Sequence, residues 1–223
     1  MPLTWRAVLL PALGAGLAAG LAAGVLQQAF LVPLILQAES FEVAAGIDHS
    51  TEWEPQAGVE RIVYGLVFNC LGAVGFALLL SACYALRGPV SWRQGLIWGL
   101  GGFASVALAP ALGSMPELPG AHAADLGARQ LWWVLTAVAT AAGLACVVFL
   151  RRWWPRLLGC AALVLPHLIG APEAGNGETG VPQQLARWFA AGSLAISLVL
   201  WLILGALTAV LMKRWGRTSA ARS

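Results

Sequence analysis

Charged residues are scarce in this sequence. Of its 223 residues, 13 are basic and 10 are acidic, so charge makes up 10% of the chain, whereas a soluble domain carries about 25%. Hydrophobic residues make up 59%, and the mean hydropathy is +0.77. The few basic residues stand at the ends of apolar runs, which excludes a nucleic-acid surface. The composition therefore predicts a polytopic membrane protein with the lipid bilayer as its surroundings.

The sequence also lacks the motifs of catalysis and of closed metal sites. It has no P-loop and no HExxH, so we do not expect an enzyme, ATP-driven transport by this chain alone, or a tightly bound cofactor. No CxxC pair is present, and the cysteines stand singly in apolar runs, where a free thiol packs as a small hydrophobic group. These cysteines are Cys70, Cys83, Cys146 and Cys160.

Six apolar segments are present, and each is continuous rather than alternating. They cover residues 7–36, 62–85, 95–112, 131–150, 157–169 and 188–212. Because lipid requires backbone hydrogen bonds within the segment, they predict an all-α bundle of about six transmembrane helices in a single domain, 1–223. The fifth segment is shorter than the ~20 residues of a full span. It is predicted as a short, kinked or re-entrant span. The first segment runs past Gln28, which favours a retained helix over a signal peptide.

The charges predict the topology. If all six segments cross, ten basic residues fall on one side, together with both termini, and the positive-inside rule makes that side cytoplasmic. The ten acidic residues all fall on the opposite, outer side. This distribution fits either a surface that attracts cations or an ordinary solvated acidic face. Tryptophans at both ends of the segments, including Trp132 and Trp133, predict an aromatic belt at the lipid interface.

The three predicted hairpins share a pattern in their outer connections. Each outgoing helix has a proline near its end, followed six or seven residues later by a glutamate, in VPLILQAE, PALGSMPE and PHLIGAPE. Each returning helix begins near an arginine: Arg61, Arg129 or Arg187. Internal repeats are frequent in transporters, and proline frees backbone carbonyls that can line a polar cavity. Glycines spaced by four, Gly16, Gly20 and Gly24, predict a close helix–helix contact.

The candidate metal ligands lie in these outer connections. Each hairpin has one histidine, and each shares its connection with carboxylates, a mixture that suits Co²⁺, Ni²⁺ or Zn²⁺. An ionisable residue at the end of a short membrane helix, such as His167, is a functional candidate by default. The same carboxylates could instead pair with arginines in purely structural contacts, and the sequence leaves both readings open. The candidate ligands are His167, Glu117, Glu173, His122, Glu39 and His49, and the candidate structural residues are Arg61, Arg129, Arg187 and Asp125.

Four blocks of the sequence resemble the CbtA family of proposed cobalt transporter subunits. They are the opening helix into LVPLILQAE, the stretch GVERIVYGLVFNCLGAVGFALLL, the block PELPGAHAADLGARQLWW and the block LPHLIGAPE. The resemblance covers most of the chain in order. It implies a multi-pass protein of the bacterial inner membrane, a link to cobalamin regulation, and a small histidine-bearing partner, CbtB. Family members are usually assigned five transmembrane segments, whereas the charges here favour six.

One departure from the family shifts the expected site. The first outer loop of family members often carries several histidines, and here it has only His49. The prediction therefore gives more weight to His167 and the PELPG segment. We expect a secondary or channel-like uptake subunit, in which outer carboxylates and histidines collect Co²⁺ as the transported ion. The alternative is an accessory or structural membrane protein with no transport path of its own. The sequence does not show whether the protein forms oligomers.

Overall fold

The chain folds almost entirely into helices. The computed structural model describes residues 5–44, 55–56, 58–119, 124–173 and 180–220, and within these ranges it contains helices and no strand, which confirms the predicted class. The helices are α1 (Trp5–Phe30), α2 (Val32–Ala44), α3 (Val59–Arg87), α4 (Trp92–Ala111), α5 (Leu126–Phe149), α6 (Trp153–Ile169) and α7 (Gln183–Ala220).

Five of these helices are long and apolar enough to cross a membrane, namely α1, α3, α4, α5 and α7. The sixth apolar helix, α6, has 17 residues, four more than the sequence predicts, because it begins at Trp153. At 1.5 Å per residue it is about 25 Å long, somewhat shorter than the ~30 Å hydrocarbon core. Length and composition thus support five spans, while the sixth crossing and the cytoplasmic termini stay predictions.

The first predicted segment is interrupted earlier than expected. A turn at Leu31 separates α1 from α2, and Pro33 is the second residue of α2. Because proline has no N–H to donate, α1 cannot continue through this position with its hydrogen bonds intact. The expectation that Glu39 lies in a loop is wrong, because α2 carries it within a helix that runs on to Ala44.

The prolines of the other two outgoing helices have different consequences. Pro110 follows a π-helical stretch, Ala104–Leu108, and offers no N–H to the carbonyl of Val106. That carbonyl accepts a hydrogen bond from the indole N–H of Trp133 on α5, at 3.1 Å. Pro166, in contrast, lies inside α6, which ends three residues later at Ile169 and is followed by Gly170, where φ is +88°. Only Pro33 stands at an interruption of its helix, whereas α4 and α6 continue through Pro110 and Pro166 and end one and three residues later.

The helices pack as two compact units, which are described separately. The first unit contains α1, α3, α4 up to Leu100 and α7 from Ala195. The second contains α2, α4 from Gly101, α5, α6 and α7 up to Leu194. The predicted single domain stays a prediction.

In the first unit, glycines bring α1 and α3 together. A methyl group added at Gly20 would lie 2.6 Å from the Cα atom of Cys70. One turn to either side along α1, Gly16 faces Val74 and Gly24 faces Leu66. The partner numbers fall as the glycine numbers rise, so the two helices run antiparallel. The predicted contact through glycines spaced by four is confirmed, and it allows the backbone approach that stabilises helix pairs in lipid.

A side-chain hydrogen bond also joins α1 and α3. The Asn69 side-chain amide donates to the Gln27 side-chain oxygen at 2.7 Å and to the carbonyl of Gly65 at 2.8 Å. Both side chains are half-buried within apolar helices, where few competing partners exist. A hydrogen bond between membrane helices is worth about 0.5–2 kcal/mol.

We expect Asn69→Leu to lower the free energy of unfolding by about 1 kcal/mol, because it leaves the Gln27 oxygen without its donor. Denaturant unfolding in detergent micelles measures this change. The double variant Gln27→Leu/Asn69→Leu is the control, and its cost should be smaller than the sum of the two single costs. Strictly additive costs would contradict the proposed pairing.

In the second unit, α5 and α6 form an antiparallel pair. A methyl group added at Gly143 would lie 2.7 Å from the carbonyl oxygen of Gly159, and the reverse distance is 2.8 Å. Towards the start of α5 and the end of α6, the rings of Trp132 and His167 meet edge to face, with centroids 6.3 Å apart. These two contact points align the helices over about half of their length.

Candidate functional site

An apolar cluster gathers the outer connections of all three predicted hairpins. It contains Ala38 of α2, Leu118 after α4, and Val181 and Leu185 at the start of α7, all buried. Partly buried side chains pack against it: Leu34, Ile35, Phe41 and Phe189. Candidate polar residues are adjacent in the chain to cluster members, since Glu39 follows Ala38, Glu117 precedes Leu118, and Arg187 lies two residues after Leu185. The burial of apolar side chains thus positions charges from three separate connections.

The clearest polar contact of this region is an ion pair. Arg129 Nη1 donates to Glu117 Oε2 at 2.7 Å, and the two side chains are 29% and 33% exposed. The arginine lies in the first turn of α5, as the repeat predicted, and Glu117 lies in the connection that follows α4. One of the three expected glutamate–arginine pairs is therefore present. It joins the connection to the helix that follows it.

Asp125 has a role that the sequence did not assign to it. Its Oδ1 accepts a hydrogen bond from the backbone N–H of Ala128 at 2.9 Å, so it is the N-cap of α5. A cap satisfies one of the free N–H groups of the first turn and its negative charge favours the helix dipole. It thereby fixes where α5 begins and hence where Arg129 stands.

His167 lies against a buried tryptophan. The indole of Trp132 is 8% exposed and packs edge to face on the His167 ring, which is half-buried at the end of α6. The same indole touches Gly113, the second residue after α4, and any side chain at that position would collide with the ring. The predicted placement of Trp132 in a lipid-facing belt is wrong, because helix contacts enclose it. Trp132 lies one turn after Arg129, so the ion pair and the imidazole belong to one neighbourhood.

The other predicted site residues are more dispersed. Glu173 is exposed and follows α6, Glu39 is half-buried on α2, and Arg61 lies in the first turn of α3. Arg187 is exposed on the second turn of α7. The remaining two candidates, His49 and His122, lie outside the described residues.

The described side chains do not form a closed metal site. Within residues 5–41, 58–119, 124–173 and 180–215, no three side chains of His, Cys, Asp or Glu lie close enough together to hold an ion. In particular, Glu117 and His167 share the Trp132 neighbourhood, but Glu173 does not join them as a third ligand. Metal binding by these residues stays a prediction. The described residues therefore do not provide the rigid ligand set of a structural metal site.

The sequence reasoning missed a polar face on α5. Trp132, Thr136 and Thr140 are buried, and the indole nitrogen and both hydroxyl oxygens have no hydrogen-bond partner in the described part of the protein. With Gly143 they repeat every three or four residues, so they lie on one side of the helix. The spacing of two threonines by four residues within an apolar span is the signal that could have revealed this face.

The five long apolar helices indicate a multi-pass helical membrane protein. A scan of known protein families matches residues 5–213 to the family described as "Probable cobalt transporter subunit (CbtA)". The match covers nearly the whole chain, so the protein belongs to the CbtA family, as its sequence blocks indicated. Searches of curated proteins and of solved structures return no match to this chain. The family is described as one of probable transporter subunits and not as a class of enzymes, which fits a non-enzyme role.

Proposed function

We propose that this protein is a subunit that takes up Co²⁺ across the cell inner membrane, with the ion as substrate and not as a resident cofactor. The observation that carries the proposal is the match of residues 5–213 to a family of probable cobalt transporter subunits. Outward-facing carboxylates and histidines collect the ion at a polar entrance. Glu117 and His167, which lie near Trp132, are the main proposed ligands of this entrance. Glu39, Glu173, His49 and His122 contribute to the same entrance.

The proposed topology has six crossings and places both termini in the cytoplasm. The support comes from α6, whose contacts with α5 extend from the Gly143–Gly159 pair to the Trp132–His167 pair. A helix that runs antiparallel along a membrane-spanning partner for this distance returns through the same layer. The short length of α6 is accommodated by local thinning of the bilayer or by its interfacial flanks, at modest cost.

The chemistry of the entrance suits an ion in transit. A transported ion must bind well enough to enter and weakly enough to leave. Carboxylate and imidazole together favour a borderline ion such as Co²⁺ over Mg²⁺ or Ca²⁺. In the structure, Glu117 pairs with Arg129, so an arriving cation competes with a guanidinium for the carboxylate. This competition keeps the binding reversible.

A second subunit is part of the proposal. The family description names a subunit, which implies a partner, and the partner proposed is a small histidine-bearing protein of the CbtB type. Such a protein adds imidazole ligands that this chain, with only three histidines, has in short supply.

We expect His167→Ala to reduce Co²⁺ uptake to the level of cells that lack the protein, because the imidazole is a proposed ligand. Accumulation of radioactive cobalt by intact cells measures the effect, with the amount of protein in the membrane fraction determined in parallel. His167→Phe is the matched control, since it keeps an aromatic ring against Trp132 but has no nitrogen ligand. Normal uptake in the phenylalanine variant would assign His167 to packing and remove it from the site.

The accessory role is the second candidate, and one observation favours it. The Glu117–Arg129 pair is formed at 2.7 Å, so this carboxylate already has a structural partner. Under the accessory reading, deletion of the protein leaves cobalt uptake unchanged while a partner transporter loses stability or assembly. Uptake by deletion cells that express this chain alone, and then together with a CbtB-type protein, separates the two functions.

A further inference from the structure

The buried face of α5 carries more unpartnered polar atoms than packing alone explains. Thr136 is fully buried and Thr140 is 4% exposed, and with the Trp132 indole they present two hydroxyls and one N–H that no described residue satisfies. Each such group that is buried without a hydrogen-bond partner lowers the stability of the fold by about 1–3 kcal/mol. Three of them on one helix face would be a substantial penalty in a protein whose neighbouring positions are apolar.

The two threonines do not form the hydrogen bond that their hydroxyls usually make within a helix. Serine and threonine in helices commonly donate to the carbonyl four residues earlier, and Ser105 on α4 does so, bonding to the carbonyl of Gly101 at 2.8 Å. Thr136 and Thr140 make no such bond. Their hydroxyls therefore remain available to a partner that approaches from the side of the helix.

The α6 side of this face offers little competition. There α6 contributes Leu163 and the buried residues Gly159 and Pro166, none of which has a polar side chain. Pro166 also has no N–H for the carbonyl of Ala162, which leaves a further acceptor on this stretch of α6. The face begins at Trp132, which contacts His167 and lies one turn beyond Arg129. Arg129 forms the ion pair with Glu117.

We propose that Trp132, Thr136 and Thr140 line the path that a hydrated divalent cation takes inward from the Glu117–Arg129 pair. The proposal rests on the transport function proposed above and assigns three residues to it. The chemistry fits a hydrated ion and not a bare one. Hydroxyl oxygens accept hydrogen bonds from the water molecules around the ion, and the indole N–H donates to a water oxygen. Neutral groups of this kind guide a cation without trapping it.

Water access along this face is the first test, and it does not depend on cobalt transport. The four cysteines are replaced by serine or alanine, and single cysteines are introduced as Thr136→Cys, Thr140→Cys and Val138→Cys. Val138 lies at the same depth on the exposed side of α5, with 62% of its surface accessible. A charged, membrane-impermeant thiosulfonate should modify positions 136 and 140 at least tenfold faster than position 138, and Co²⁺ should slow the reaction at both. Equal, slow modification at all three positions would overturn the path even in a protein that transports cobalt.

The second test measures uptake in variants that keep the side-chain shape. Thr136→Val and Thr140→Val remove a hydroxyl without changing the volume, and each should lower Co²⁺ uptake at least fivefold with normal membrane levels and unchanged or raised thermal stability. Thr136→Ser should retain uptake. The matched control is Thr208→Val, because Thr208 on α7 is fully buried and has no hydrogen-bond partner in the described protein, yet lies outside this face. Uptake within twofold of wild type in both α5 valine variants would refute the assignment.

Discussion

Replacement of Gly95 by valine is expected to prevent the first unit from folding. The Gly95 and Gly205 backbones are in direct contact, and a side chain on either residue would collide with the carbonyl oxygen of the other. The new Cβ would also lie 3.0 Å from the Cβ of Ala209. Backbone atoms cannot rotate away as a side chain can, so the cost should reach or exceed the upper end of the roughly 1–3 kcal/mol typical of overpacking.

The effect is expected to be large because three helices meet at Gly205. The carbonyl oxygen of Gly205 accepts a hydrogen bond from the Tyr84 hydroxyl of α3 at 3.0 Å, while its backbone faces Gly95 of α4. The Tyr84 ring in turn packs edge to face on Trp98, with centroids 5.6 Å apart. Displacement of α4 by a valine would therefore disturb the buried hydrogen bond and the aromatic contact together.

Size-exclusion chromatography of detergent-extracted protein, followed by its thermal midpoint, measures this outcome. Gly101→Val is the matched control, because Gly101 is on the same helix and a methyl group there meets no atom within 4 Å. The two variants have the same change in helix propensity, so any difference between them reports the contact with Gly205. A monodisperse Gly95→Val protein with the midpoint of its control would show that the contact does not stabilise the unit.

The membrane helices could be predicted because a segment in lipid must satisfy its backbone hydrogen bonds internally. Continuous apolar runs must form helices, so the spans at α3, α5 and α7 follow from composition, with ends displaced by one to eight residues. The contact of Gly16, Gly20 and Gly24 with α3 could also be predicted, because small residues spaced by four leave one consistent face. Both predictions depend on local patterns that tertiary structure does not override.

The part of α2 beyond Leu36 was missed because its polar residues conceal a helical period. Gln37, Glu39 and Ser40 indicate a loop when only the loss of hydropathy is considered. The apolar residues, however, are Leu34, Ile35, Ala38 and Phe41, which recur at the spacing of one helix face and pack in the buried cluster. An amphipathic helix at the end of a membrane span therefore requires a search for period as well as for hydropathy.

The site could be predicted only in part, because it depends on contacts between residues that are far apart in the sequence. The repeat placed Glu117 and Arg129 at the two ends of one connection, and an ion pair between them was one of the two readings that the sequence left open. The sequence could not show that Trp132 is buried against His167, since its position at the end of an apolar run is equally typical of a lipid-facing residue. Nor could it show that two threonine hydroxyls lack partners, because that depends on every surrounding atom.

Glu117→Gln is expected to lower Co²⁺ uptake roughly 10- to 100-fold, the loss typical when a group that supports metal binding is removed. The amide keeps the shape of the side chain but loses the charge that attracts the cation. Folding should be little affected, because a partly exposed ion pair contributes only about 0–1 kcal/mol. Cellular cobalt uptake and the thermal midpoint of the purified protein measure the two effects separately.

The reversed pair Glu117→Arg/Arg129→Glu decides what the carboxylate does. If Glu117 serves the ion, the reversed pair keeps the thermal midpoint of the wild type but does not restore the uptake, because the carboxylate now projects from α5 and no longer from the connection after α4. Glu60→Gln is the matched control for loss of an acidic residue, since Glu60 accepts a hydrogen bond from the backbone of Gln56 in a different connection. Its uptake should stay within twofold of wild type. Uptake restored by the reversed pair would mean that Glu117 acts through Arg129 alone, and the accessory reading would then explain this ion pair better than cobalt binding does.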